Sequence, residues 1–318
     1  SHQAVLWLPS IKARVLSHTP ATTQNLVNTA WALDVLDWTH AEALLCTVGR
    51  FLGVCGGSLG VEWTTLAEIV EKHGVTSRAP SFCAQFGAQV LEPALEHLRA
   101  VRAAPTDVAL AECVRSFEDW VVRLQVPSLG ASHTRAALVA AGAAPPGACP
   151  GEWVQRAREA VSGVAWWSCP HAAVSSQGVV AWVSAHLEVC GGGVVDELGT
   201  VFTADDAAAH SILVERMLQP IHLQVPRSGH AERRALVSLL RQVSRRFDYG
   251  NHECWADTRG HVHMFASHFL CISCLVAVAQ FCRRLPRVHV EVEFGNAWAD
   301  WEERDDSAAA LLTVGHAA

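Results

Sequence analysis

The chain has 318 residues, 50% of them hydrophobic, and a formal net charge of −7 at neutral pH, which is ample for one large or two ordinary domains. No apolar run is long and charge-free enough to cross a bilayer, and no N-terminal signal peptide is visible. Eleven scattered cysteines lack the spacing of a secreted disulfide framework, so an intracellular, reducing compartment is expected. The acidic balance speaks against a broadly basic nucleic-acid-binding surface and leaves room only for a local basic groove.

In chain order, residues 1–141 read as an all-α domain. Residues 21–33 form an amphipathic stretch with capping residues at its start. This stretch resembles one unit of the helical-hairpin repeats of octotricopeptide-type RNA-binding proteins. Further helices are expected over 66–72, 82–101 and 108–124, with no clean repeat period across them. Gly142-Ala143-Ala144-Pro145-Pro146-Gly147-Ala148-Cys149-Pro150-Gly151 has the composition of a turn-rich linker, which places the domain boundary at 142–151.

Residues 152–318 alternate helical and extended patterns. A helix is expected over 152–167 and an apolar segment, strand or helix, over 179–188. Strands are expected over 194–202 and 221–225, with an acidic-started helix over 205–218 between them. His230-Ala231-Glu232 opens a helix whose apolar residues recur through Val243. Its arginines, Arg233 and Arg234 among them, are assigned to a solvated face. His252 to Ala256 and His261 to Ala266, joined at Asp257-Thr258-Arg259-Gly260, read as a β-hairpin. Cys271-Ile272-Ser273-Cys274 opens an apolar helix that Arg283-Arg284-Leu285-Pro286 closes. Residues 288–294 then alternate as a half-buried strand does. An acidic segment from Trp298 follows.

The chemistry concentrates in His230, Glu232, Cys271 and Cys274. One imidazole and two thiolates can hold a zinc ion and leave its fourth position open to water. Zinc lowers the pKa of water from roughly 16 to about 7. Cysteines three apart at a helix start put both sulfurs beside one ion, and the helix dipole favours their thiolate forms. Glu232, two residues past the histidine, is placed to move protons without binding the metal. His40-Ala41-Glu42 and His186-Leu187-Glu188 repeat the HxE triplet, but neither leads into a CxxC at a workable distance. His252, Cys254, His261 and His263 are kept out of the metal site: alternate histidines on a strand share one face and commonly form a polar surface. Cys254 and Cys282 are assigned to the core.

The HAE…CxxC order, with a strand between the two helices, resembles the cytidine deaminase superfamily of zinc-dependent nucleoside and nucleic-acid deaminases. The resemblance implies an α/β three-layer domain, a central sheet flanked by helices, preceded here by the all-α domain. It implies that His230, Cys271 and Cys274 bind Zn²⁺ and that Glu232 is the catalytic proton shuttle. Ser267 and His268 fall where the family's substrate-lining residues precede the cysteine pair. The family's customary proline before the first cysteine is Leu270 here. Glu232 and Cys271 are 271 − 232 = 39 residues apart, longer than in compact members, and the extra hairpin strand accounts for the difference.

The implied reaction is hydrolytic removal of an exocyclic amine, cytosine to uracil, in single-stranded RNA first and DNA second. An unpaired base reaches such a pocket most readily. Free cytidine or nucleotide deamination, adenine deamination, and an inactive deaminase-fold RNA-binding protein are the alternatives. The intact Glu232 argues against the last of these.

Overall fold

The computed structural model describes residues 61–72, 76–126, 128–145, 151–162, 179–204, 217–221, 229–246 and 253–295, with isolated positions at 26, 27, 30, 47–49, 51 and 164. The chain divides into two compact units, Ser1–Glu96 with Phe117–His133, and His97–Ser116 with Thr134–Ala318.

In the first unit the described residues are mainly helical. They include α1 (Val61–Lys72) and α2 (Pro80–Phe86), which starts on a proline whose missing N–H is no loss at that position. A π-helical turn over Gly87–Leu91 leads into α3 (Glu92–Ala103). Buried aromatic rings form the centre. Trp63 stacks on Phe82 with centroids 5.2 Å apart, and Phe51 meets Trp63 edge-on at 5.3 Å. Later parts of α4 (Asp107–Leu124) add Phe117 and Trp120. The next helix, α5 (Ala131–Ala141), passes into the second unit at Thr134 and buries Thr134, Ala137, Leu138, Ala140 and Ala141 there.

The second unit is built on a four-stranded sheet of β1 (Val180–Val189), β2 (Gly193–Thr203), β3 (Arg259–Ala266) and β4 (Arg287–Phe294), in the order β2-β1-β3-β4. β1 runs antiparallel to β2 and to β3, while β3 and β4 are parallel. β1 and β2 are joined by Cys190-Gly191-Gly192, and both glycines take positive φ (91° and 88°), which a side chain would resist. A bulge follows, because Val183 pairs with Thr200 and Ser184 with Leu198. The extra residue is Gly199, with φ 107°, and a Cβ there would lie 2.8 Å from the Trp182 indole.

Alternation along the strands sorts the two faces. Val180 and Trp182, with Phe265 opposite Trp182, face α6 (Glu152–Ser162), whose Trp153, Val154, Ala157 and Val161 close that core. The other face, carrying Ala185 and its β2 partner Glu197, meets α7 (Ala231–Ser244), where Gln242 Nε2 donates to Glu197 Oε2 at 2.8 Å. α9 (Ile272–Arg284) connects the parallel strands and packs against α7. Its residues from Ile272 to Cys282 are all buried, Cys282 among them. The result is a mixed sheet with helices on both faces, an α/β architecture with helices N-terminal to it, as the sequence pattern implied.

Several expectations need revision. The strand expected from His252 to Ala256 is not seen in its described part: residues 253–257 form the short helix α8 (Glu253–Asp257). β3 already has β1 on one edge and β4 on the other, so no edge remains for a hairpin partner. α8, rather than an extra strand, therefore lies between Glu232 and Cys271. Arg233 is not on a solvated face but is 1% exposed inside the second unit. His186-Leu187-Glu188 lies in β1. Of residues 142–151, Ala144 donates its N–H to Val290 O at 2.7 Å and accepts from Val292 N–H at 3.0 Å, covering part of the outer edge of β4. The helix expected over 205–218, the strand over 221–225, the His40 triplet, His252 and the acidic segment from Trp298 lie wholly or mainly outside the described residues, as does the side chain of Cys254.

Candidate metal centre

Two helix starts form the site. His230 is the residue that caps the N-terminus of α7, and Cys271 caps α9; both have extended backbone there (φ −61°, ψ 137° and φ −68°, ψ 163°). Cys274 follows one turn into α9, and Glu232 lies in the first turn of α7. The free N–H groups and positive dipole ends of both helices therefore face the same group of anionic donors.

The ligand atoms of His230, Cys271 and Cys274 all lie within 4.8 Å of one another. His230 Nδ1 is 3.3 Å from Cys274 Sγ and 3.6 Å from Cys271 Sγ. A tetrahedral ion at the usual zinc lengths, about 2.3 Å to sulfur and 2.0–2.1 Å to nitrogen, sets sulfur and nitrogen roughly 3.6 Å apart. The donor set can thus hold a metal ion and is compatible with zinc. A second observation supports the fit. Glu232 is only 2% exposed, and its Oε2 has no hydrogen-bond partner. A buried acceptor left open beside such donors calls for a ligand group.

The charges interlock. The Cys274 thiol donates a hydrogen bond to Cys271 and holds the Cys271 thiolate form, so the Cys271 pKa falls well below the ordinary value. Cys274 moves well above its own ordinary value, first because it gives that hydrogen bond and then because it is buried. Both thiols must give up their protons to ligate an ion, and the lowered Cys271 pKa favours that while the raised Cys274 pKa opposes it. Burial pushes the Glu232 carboxyl up, His230 pulls it partly back, and Cys271 pushes it up again.

A buried grip fixes the two helices to one short segment, residues 217–221. Arg284 Nε donates to Met217 O at 2.9 Å, and Arg233 donates to Leu218 O through Nε at 2.9 Å and Nη2 at 2.6 Å. Gln280 accepts from Gln219 N–H and donates to Gln219 O, each at 2.8 Å, and Ser273 Oγ donates to Ile221 O at 3.3 Å. Sequence reading missed this. The signal was present, because Arg233 lies three and seven residues before Leu236 and Leu240, on the buried stripe of α7.

Ser267 is buried: its Oγ accepts Val180 N–H at 3.0 Å, and its own N–H donates to Val180 O at 2.8 Å. That hydroxyl ties β1 to the end of β3. His268 packs its ring 4.1 Å from Phe269, and burial lowers its pKa to about 4. Leu270, directly before the first cysteine, is fully buried.

No family model, no curated protein and no solved structure matches the chain.

Proposed function

We propose that this chain is a zinc-dependent hydrolytic nucleobase deaminase with a cytidine-deaminase-like α/β domain. The favoured reaction is cytosine to uracil in single-stranded nucleic acid, RNA before DNA. One observation carries the reading: a histidine and two cysteines at two abutting helix N-termini lie beside a buried carboxylate with a free oxygen. His230, Cys271 and Cys274 would hold the metal.

Zinc, when bound, supplies Lewis-acid activation of water. The chain's own residues do the proton work. Glu232 Oε2 takes a proton from the attacking water and delivers it to the ring nitrogen next to the reacting carbon. It then assists protonation of the leaving amine, so that cytosine and water yield uracil and ammonia. Burial suits Glu232 to this, because a carboxyl pushed above its ordinary pKa is a stronger base than a solvated one. The fixed helix ends hold the donors in place before substrate arrives. His268, neutral through burial, is a wall from which a base can be contacted without a charge being trapped. Ser267 would shape that wall through its tie to β1. The appended helical residues suit a polymeric substrate better than a free nucleoside.

The test compares cytidine, adenosine, single-stranded RNA and single-stranded DNA as substrates of the zinc-loaded full chain. Glu232→Gln should lower turnover about 10³-fold while bound zinc stays near one equivalent. Full activity in Glu232→Gln would refute the mechanism. Turnover of free cytidine alone would remove the polymeric substrate.

A further inference from the structure

The face of the sheet opposite α7 carries a second group of donors. On β3 and β4, residues paired across the strands stand side by side: His261 opposite His289, and His263 opposite Glu291. Glu291 is the hub. Its Oε1 lies 3.3 Å from His289 Nε2, and its Oε2 lies 3.5 Å from His263 Nε2. Trp153, from α6, donates its indole N–H to Oε2 at 3.1 Å and stacks flat on His263, centroids 4.8 Å apart and planes 2° from parallel. His261 adds a further imidazole, 5.1 Å from His263.

We propose that His263, His289 and Glu291 form a second site, for a divalent transition metal bound through nitrogen and oxygen only. Imidazole and carboxylate donors about 2.0–2.2 Å from a tetrahedral ion stand roughly 3.3 Å apart; each imidazole stands at nearly that separation from its own carboxylate oxygen, although as placed the three donors do not converge on one point. The two imidazoles approach opposite oxygens of the carboxylate, so closure on one ion requires one of them to swing. His289, 61% exposed, has that freedom, whereas His263 is clamped by Trp153. The Trp153 N–H holds the carboxylate as an outer hydrogen-bond partner holds a ligating group. Two imidazoles and one carboxylate leave open positions, so the ion exchanges with solvent. The site shares no donor with the cysteine pocket and stands whether or not the chain is a deaminase.

Cobalt titration of the metal-free full chain separates the two sites, with dialysis giving stoichiometry and absorption giving donor type. The native chain should bind two equivalents of Co²⁺, only one of them producing sulfur-to-cobalt charge transfer. His289→Ala, a change at an exposed side chain, should lose one equivalent and keep the charge-transfer band. Cys271→Ser with Cys274→Ser should keep one equivalent and lose the band. Glu291→Gln should weaken the second equivalent at least ~10-fold. A native chain whose single equivalent is the charge-transfer one, or a His289→Ala chain that still binds two, overturns the proposal and leaves the row as a hydrogen-bonded polar surface. Loss of the charge-transfer equivalent in the native chain would strike the cysteine pocket instead, so the two failures are distinct.

Discussion

The cysteine pocket and the histidine row lie on opposite sides of one sheet, and both bring nitrogen donors beside a carboxylate. In the pocket the carboxylate is Glu232, 2% exposed, with one oxygen lacking any partner. In the row it is Glu291, partly exposed, with both oxygens engaged by histidines and an indole. The pocket adds soft sulfur donors held at helix dipole ends, which favour thiolate and hence a softer metal ion. The row has harder donors on strands, with one imidazole free to move. Similar residue types therefore stand in different settings. Burial and a vacant acceptor suit proton transfer, and exposure with satisfied acceptors suits reversible binding.

The comparison breaks first at the metal. Cys274→Ser should abolish zinc binding in the pocket. At free zinc ~1,000-fold above its Kd, that removes about 4 kcal/mol of stability, read by urea denaturation with and without zinc. A chelator should reproduce the loss in the native chain, while His289→Ala should shift stability by under ~1 kcal/mol. The next largest effect belongs to the grip behind the pocket. Arg233→Met deletes both donors to the Leu218 carbonyl and leaves that acceptor buried, at a cost of about 3 kcal/mol in the same assay. An unchanged denaturation midpoint would show that the segment 217–221 does not depend on α7.

The pocket was largely legible in the sequence because its information is local. HxE and CxxC each sit at the first turn of a helix whose apolar period is visible from Ala231 and Ile272 onward. β4 was legible for the same reason, since it alternates from Val288 to Phe294. What failed was non-local. The hairpin expected at His252 required knowing that β3 is sandwiched between β1 and β4. Arg233 was read by its charge, although its helical position put it on the buried side of α7 with Leu236, Val237 and Leu240. The row on the far face was the least legible. His263 and Glu291 are joined only by a parallel pairing, and Trp153 arrives from a helix more than a hundred residues earlier.

A smaller effect tests the pocket's surroundings through pH. Burial lowers His268 from 6.5 to about 4, so between those values the unfolded chain binds a proton that the folded chain refuses. Stability is therefore fully present above pH 6.5 and is lost as pH falls towards 4, by about 2 kcal/mol after allowance for partial exposure. His268→Asn should flatten that part of the stability profile. A native profile with no slope across the window, once zinc is removed, would place His268 in contact with water.

The smallest effect sharpens the contrast most. Trp153→Phe keeps an aromatic ring for His263 and Trp182 to stack on but removes the N–H that reaches Glu291. One hydrogen bond to a carboxylate is lost where solvent can partly replace it, so stability should fall by only about 1 kcal/mol. Glu291 would then be freer to turn, and the second cobalt equivalent should weaken about 10-fold while the charge-transfer equivalent is untouched. The two readouts move differently because a stability change reports the ring and the bond together, whereas the affinity change reports only how well the carboxylate is aimed. If stability falls and cobalt affinity does not, the indole packs the core of α6 and has no part in presenting Glu291.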